Sequence, residues 1–509
     1  MSAMTSTTPV ANSKIFSPHN YQRHAIEFGL DRQLRTRGSV GYFLDPGLGK
    51  TSISLTLLKC LKEFADCGSA LVIAPLRVIY SVWPAECRKW QQFHKITTSI
   101  VHGTAAQRVK AINTPADIHL INPDGVTWLT RYLMEEAGHP TEMPPGRWAT
   151  LIRNKGMSLA TRWSCLIVDE SSQFKSPKAN RTKALHSWSD QFSRRSILTG
   201  TPAPNGLIDL WAQVYLLDGG ESLGRNVTAY RTRYFYKEGG PFGKWLPKAG
   251  SHDAIYKAIT HLVLRLSAAD HLDLPPLVEN DIWVELPRGK AKAYRKLERE
   301  LFVEIEDGGE LVIGSAGAKY AACRGYANGG LYETIGDTRT THHVHDVKVE
   351  ALLELIGELQ GKPLLVAYQF NHDLERMQKR LKGAPTINGK TTATQSNQII
   401  SEWNAGRIPL LMVQPQALSH GVNMQASGND IAWFGLTDNL ETYLQFNARI
   451  YRQGVSGQVR VHRILTRGTV DEAVRQRIES KDETQQALLR ALQAYRTKAH
   501  LSEDGKKPR

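Results

Sequence analysis

Five cysteines in 509 residues, Cys60, Cys67, Cys87, Cys165 and Cys323, include no CxxC pair. That scarcity argues against a disulfide scaffold or a zinc ribbon. No apolar stretch reaches the roughly 20 residues that crossing a bilayer requires. Residues 1–12, rich in Ser, Thr and Ala, lack the charged-then-apolar order of a signal peptide. His342, His343 and His345 have no cysteine or carboxylate set at ligand spacing beside them, so a metal cluster is not expected there. No short-period repeat suggests a solenoid. Acidic residues are also outnumbered: 49 Asp and Glu face 64 Lys and Arg, a net charge of +15. Such a balance suits a polyanionic partner, because each phosphate neutralised releases counterions. The expectation is a soluble intracellular protein, cytoplasmic or inside a host cell if viral, with a disordered start over residues 1–13. At this length one core does not suffice, and two to four domains are expected.

What the chain does contain begins at residue 40. Val40-Gly41-Tyr42-Phe43-Leu44 leads into Asp45-Pro46-Gly47-Leu48-Gly49-Lys50-Thr51, and helix-forming residues follow from Ser52 to Leu61. Strand, glycine loop and helix in that order describe a phosphate-binding loop. Gly47 and Gly49 let backbone N–H groups turn inward, Lys50 reaches the terminal phosphates, Thr51 offers a hydroxyl to Mg²⁺, and the helix N-terminus adds partial positive charge. The general GxxxxGK[ST] pattern is not met, since Leu44 occupies its first glycine position; this is a shorter loop opened by Asp45. A second apolar run, Leu166-Ile167-Val168, ends in Asp169-Glu170. Carboxylates at the end of a buried strand can hold Mg²⁺ through Asp169 and leave Glu170 to orient and deprotonate an attacking water. A third, ending Leu198-Thr199-Gly200-Thr201-Pro202, brings two hydroxyls beside a glycine, an arrangement able to sense a terminal phosphate.

Further apolar runs at 71–75, 118–121, 363–367, 409–413, 431–434 and 459–462 alternate with helical patterns. They predict an α/β fold of two similar units, each a parallel sheet flanked by helices, with ligands at the carboxyl ends of the strands.

These motifs resemble the superfamily-two nucleic-acid motors, and more narrowly the Swi/Snf-type DNA translocases, from Tyr21 to about Lys481. The resemblance implies two RecA-like lobes, residues 14–276 and 277–480, the second including a linker and an insertion, then a C-terminal helix and basic tail over 481–509. It places ATP and Mg²⁺ in the cleft between the lobes. Tyr21-Gln22 is similar to the adenine-reading glutamine of the family. Ala74-Pro75-Leu76-Arg77 and the following Val82 to Trp90 resemble its DNA-contacting segment. Asp169 to Pro177 stands where the acidic box and an adjoining lysine, Lys175, belong, with Ser171 and Ser172 replacing a small residue and a histidine. Gly421-Val422-Asn423-Met424-Gln425 resembles the glycine-rich motif that touches DNA and nucleotide, one residue short. The run Gln445 to Gly454 resembles the arginine motif, with Ala448 for the usual glycine and Gln445 on the nucleotide side. Arg449 and Arg452, read as three apart on one helical face, would both aim at the γ-phosphate. By analogy with arginine fingers that is worth on the order of 10³-fold or more in rate. Pro75, Arg77, Lys175, Gln369, Gly421 and Asn423 would touch the DNA backbone, giving steep salt dependence and little sequence preference. The implied protein is a monomeric ATP-dependent translocase on double-stranded DNA, in a compact microbial or phage-like form. A strand-separating DNA or RNA helicase and a nucleotide-gated DNA-binding module with slow hydrolysis remain as alternatives.

Residues 225–265 are a further candidate DNA surface. Arg225, Arg231, Arg233, Lys237, Lys244, Lys248, Lys257 and Arg265 are interleaved with seven aromatics, of which Tyr234 or Trp245 could stack on bases. The same pattern also suits a small aromatic core under a solvated basic face. The glycine-rich piece from Asp307 to Gly336 reads as an insertion or a mobile loop, and Lys506-Lys507-Pro508-Arg509 as a solvated tail.

Overall fold

The computed structural model describes residues 14–35, 38–65, 67–155, 162–239, 244–272, 274–300, 302–304, 310–312, 316–335, 338–418 and 422–485. They fall into two compact units, one comprising the residues up to His271 together with Thr484 and Gln485, the other spanning Leu272–Glu483. The expected fold class is what is found: each unit is built on a parallel sheet with helices packed on it.

In the first unit the strands are β1 (Ser39–Leu44), β2 (Ala70–Ile73), β3 (Thr98–Val101), β4 (Ile118–Ile121), β5 (Cys165–Asp169) and β6 (Arg194–Thr199). A separate hairpin joins β7 (Phe235–Glu238) to β8 (Lys244–Pro247), and β9 (Val263–Leu266) closes the sheet. The order is β3-β4-β2-β5-β6-β1-β9. All residues of β1, β2 and β5 are buried, as expected of strands covered on both faces. Three helices position the site: α1 (Asn20–Leu30), α2 (Lys50–Phe64) and α3 (Trp83–Lys89). β6 lies between β1 and β5, with Phe43 opposite Thr199 and Asp169 opposite Leu198. The strands carrying the glycine loop and the acidic pair are thus two spacings apart, about 10 Å, with their carboxyl ends level.

The core of this unit holds Trp148, Trp163, Trp188 and Trp211. It also absorbs Tyr230, Tyr234, Phe235 and Tyr256, which corrects the base-stacking role considered for Tyr234. Trp245 packs against the same core, with the Arg231 guanidinium 5.7 Å from its ring centre. Among the described residues of this segment, Tyr236 is the exposed ring. Residues 225–265 are therefore mainly a small aromatic core under a basic rim.

The second unit contains β10 (Val278–Val284), the hairpins β11 (Phe302–Glu304)–β12 (Glu310–Val312) and β13 (Gly330–Ile335)–β14 (Thr338–His343), then β15 (Leu364–Ala367), β16 (Thr386–Ile387), β17 (Leu410–Val413), β18 (Asp430–Trp433) and β19 (Arg460–Thr466). Its parallel sheet runs β10-β19-β18-β15-β17-β16. The glycine-rich piece is not simply a loop: it carries the helix Ala316–Asn328 and β13. Ala and Lys in that stretch favour helix over the scattered glycines, and Cys323, Tyr326 and Leu331 bury beside Tyr294 and Leu297. The histidines nearby serve local contacts, His342 to Glu333 at 2.8 Å and His345 to the Tyr326 carbonyl at 2.8 Å. No helix among the described residues is long and apolar enough to cross a membrane. The expected disordered N-terminus and basic C-terminal tail lie outside the described residues.

Candidate nucleotide site and nucleic-acid-side loops

The loop after β1 turns on two glycines in left-handed conformations, Gly47 at φ 89° and Gly49 at φ 78°. Gly49 is the N-cap of α2 and supplies no side chain to the first turn. The N–H groups at that helix start therefore point into the loop, the arrangement a phosphate needs. Lys50 folds back to donate its ammonium to the Leu44 carbonyl at 2.9 Å. A side chain at Gly200 would approach that same carbonyl to 3.3 Å and the Pro46 ring to 3.1 Å. The glycine of the Thr199-Gly200-Thr201 turn is thus what lets this turn close on the lysine's anchor. Thr199 accepts from the Thr201 backbone N–H at 3.0 Å, and the buried Thr201 hydroxyl has no hydrogen-bond partner.

Gln22 is buried against the loop. Its amide nitrogen donates to the Leu48 carbonyl at 3.2 Å, and its oxygen accepts from the His19 N–H at 3.0 Å. One N–H and one lone pair are left, enough for a paired contact with a base edge. Asp45 explains why this loop does not open on glycine. One carboxylate oxygen pairs with Arg265 at 2.7 Å, and the other accepts from the Ala268 N–H at 2.9 Å. Arg265 also donates to the Phe43 carbonyl at 3.1 Å, and its side chain is 3 % exposed. It belongs to the nucleotide loop and is removed from the basic surface considered above. Tyr21 stacks on His271 with ring centres 5.1 Å apart, so α1 is fastened to the same departing segment.

Asp169 ends β5 buried, and Glu170 follows at φ 55°. A left-handed non-glycine backbone costs of order 1–3 kcal/mol and persists only where its surroundings hold it. Oxygen donors from Thr51, Asp169 and Glu170 are the chemistry Mg²⁺ prefers. The N–H cradle, Lys50 and the unpartnered Thr201 hydroxyl suit a triphosphate. Trp83, fully buried, donates its indole N–H to Asp169 at 3.1 Å. Gln213, also fully buried, donates to the Pro202 carbonyl at 2.6 Å and accepts from Ser171 at 2.9 Å. It joins the turn after β5 to the turn after β6. Lys175 stands at the end of the short helix Ser171–Phe174. After β2, Pro75 is buried, Arg77 is half-buried with its guanidinium pKa lowered by burial, and Leu76 and Tyr80 are exposed.

In the second unit, the helix Leu440–Asn447 stops before either arginine. Arg449 and Arg452 lie in the turns that follow, not on a helical face. Their placement comes from short-range bonds, Arg449 N–H to the Phe446 carbonyl at 3.0 Å and Tyr451 N–H to Asn447 at 2.9 Å. The Asn447 side chain is itself held by the Trp433 indole at 3.0 Å. Arg449 is buried, and burial lowers the pKa of Arg452. The glycine-rich segment meets this turn: Met424 N–H donates to the Arg449 carbonyl at 3.0 Å and Gln425 to the Gln453 carbonyl at 3.3 Å. Asn423 adjoins it, while Gly421 lies outside the described residues. Gln445 is engaged with Glu441 at 3.4 Å. After β15, the Gln369 amide nitrogen is buried without a partner. That loop is set by Asp373, which accepts from the Phe370 N–H at 3.1 Å and from Asn328 at 2.9 Å. Asp373 at the third position of its helix is a visible capping signal; the contacts of Trp83, Gln213 and Arg265 have no local one.

Residues 21–318 match the SNF2-related domain, and residues 347–454 match the helicase conserved C-terminal domain. The chain belongs to the SNF2-related family. The putative protein p41 of Acyrthosiphon pisum secondary endosymbiont phage 1 is 34 % identical to this SNF2-related chain over 494 residues, 94 % of this chain and 99 % of that one. RAD54B, a DNA repair and recombination protein of Gallus gallus, is 23 % identical and covers 93 % of this chain, which spans 54 % of it. For PICKLE, a CHD3-type chromatin-remodeling factor of Arabidopsis thaliana, the identity is 23 % over 86 % of this chain, and the span is 32 % of that protein. The Sulfolobus solfataricus SWI2/SNF2 ATPase core in complex with dsDNA aligns with a TM-score of 0.41 and 19 % identity over 92 % of each chain. SNF2-related and helicase C-terminal domains together make the protein a member of the nucleic-acid-dependent ATPase and helicase superfamily.

Proposed function

We propose that this SNF2-related protein hydrolyses ATP with Mg²⁺ and uses the cycle to move along double-stranded DNA. The observation that carries the reading is the shared carboxyl edge of β1, β5 and β6, where the N–H cradle, the acidic pair and the threonine turn stand side by side. In this reading Gln22 contacts the adenine edge, Lys50 leaves the Leu44 carbonyl for the terminal phosphates, and Thr51 and Asp169 hold the metal. Bound Mg²⁺ supplies charge neutralisation on the phosphate oxygens. Glu170 orients a water for in-line attack on the γ-phosphorus and takes its proton, with ADP as the leaving group. Arg449 and Arg452 neutralise charge developing on the transferred group when the second unit closes. Arg77, Lys175, Gln369 and Asn423 track the phosphate backbone, while Pro75, buried and without an N–H to donate, shapes the loop that carries Arg77. The net charge of +15 supports a polyanionic track.

Steady-state ATPase assays with duplex DNA, single-stranded DNA and RNA at several salt concentrations test this. Duplex DNA should stimulate most, and stimulation should fall steeply with salt. Glu170→Gln should lower stimulated turnover by about 10²-fold or more. Turnover unchanged in that variant would remove Glu170 from its assigned role. Displacement of a triplex strand without unwinding of a forked duplex is the expected motor behaviour; the reverse would make the protein a strand-separating helicase.

A further inference from the structure

Helix α3 reaches both halves of the nucleotide site. Its first residue, Trp83, donates an N–H to the Asp169 carboxylate at 3.1 Å. One turn further on, Glu86 accepts from Ser52 at 2.9 Å and from Trp90 at 2.6 Å through the same oxygen. Ser52 lies in the first turn of α2, two residues after Lys50. Upstream, α3 continues from a π turn over Val78–Val82, closed by the Trp83 N–H on the Val78 carbonyl. The segment that leads into this turn carries the exposed Leu76 and Tyr80. One continuous piece of backbone therefore links a surface-facing segment to the metal-side carboxylate and to the helix behind the phosphate loop. Inserted turns of this kind concentrate at functional positions, and partners of metal-binding carboxylates set both their orientation and their affinity.

We propose that α3 is the positioning element between the nucleic-acid side and the metal side of the site: Trp83 orients Asp169, and Glu86 pins the same helix to α2. The inference rests on the ATPase reading above. A shift of the Leu76–Tyr80 segment on a bound polymer rotates α3, and that rotation reaches Asp169 through the indole and α2 through Glu86. Trp83 is a positioning residue, acting through Asp169.

Trp83→Phe keeps the buried ring and removes the N–H. Binding of a fluorescent ADP analogue in Mg²⁺-free buffer should be retained, showing an intact nucleotide pocket. Titrating Mg²⁺ into that complex should show half-saturation raised by about tenfold or more, the usual cost of losing an outer-shell partner. Half-saturation within about twofold of the unsubstituted protein would overturn the proposal. Ser52→Ala, a smaller change that severs the Glu86 strut, should lower the ratio of nucleic-acid-stimulated to basal turnover at least threefold. An unchanged ratio would overturn the role of Glu86, and this arm decides the matter if Trp83→Phe fails to fold. An unsubstituted protein whose nucleotide binding ignores Mg²⁺ would refute the ATPase reading itself, a result distinct from either variant's.

Discussion

Gly49 shows how much of the site depends on single backbone positions. At φ 78° a side chain is strained, and a Cβ there would stand 2.4 Å from the Gln22 amide nitrogen. Gly49→Ala should cost about 1–2 kcal/mol in the loop and push Gln22 off the Leu48 carbonyl. Nucleotide affinity should fall about tenfold while the melting temperature moves by only a few degrees; unchanged affinity would show that the turn tolerates a side chain. The cationic residues should separate in kinetics. Lys50→Ala should lose nucleotide binding together with turnover. Arg452→Ala should lose turnover by about 10³-fold while sparing ATP affinity. Equal loss of binding in both variants would count against a role for Arg452 in the hydrolytic step.

Among elements, the helix Leu210–Asp218 stands out because Gln213 is its buried polar residue bonded to two turns that approach the nucleotide loop. Gln213→Leu preserves volume but strands the Pro202 and Asp209 carbonyls and the Ser171 hydroxyl, which Gln213 now satisfies. The expected loss is about 2–4 kcal/mol of stability, from buried groups left unsatisfied, together with weaker stimulation by nucleic acid. Denaturant unfolding and the stimulation ratio measure the two, and a neutral result in both would reduce Gln213 to packing. Elements of this kind mark the boundary of what the sequence discloses. The buried strands β1, β5, β15 and β17 were legible because unbroken apolar runs of strand length end at turn residues. The glycine loop was legible because its chemistry is local, with its residues adjacent in the chain. Arg265 reads as surface in the sequence because its partner, Asp45, is 220 positions away, and only folding reveals the pairing. The arginine pair reads as helical because the residues just before it do form a helix; that helix ends at Asn447, whose side chain accepts from the Trp433 indole, a contact invisible in the local sequence.

At the scale of the whole molecule, each unit carries a buried neutral histidine that should tie stability to pH. His186 donates to the Ala212 carbonyl at 2.8 Å, and burial lowers its pKa to about 4. His345 is lowered to about 3 by burial and then by the nearby Arg376 charge. An unfolded histidine titrates near 6.5. Between that value and about 4 the unfolded chain binds protons that the folded units refuse, so folding weakens as pH falls. Each histidine should contribute about 1.4 kcal/mol per pH unit below 6.5 and nothing above about pH 7.5. Unfolding midpoints from pH 7.5 to 5 should fall accordingly, and His186→Gln should flatten the slope for the first unit. A midpoint independent of pH over this range would show that these rings are protonated in the fold. The chain's own path adds a mechanical corollary. Arg265 to His271 are the last residues before the backbone passes into the second unit, and they grip Asp45 and Tyr21. Any tension travelling along that junction arrives first at the opening residue of the phosphate loop and at the helix bearing Gln22. An aspartate in place of glycine thus ties the mouth of the phosphate loop to the strip of backbone that leaves the first unit, and under the proposed cycle load and nucleotide grip would be felt by the same few atoms.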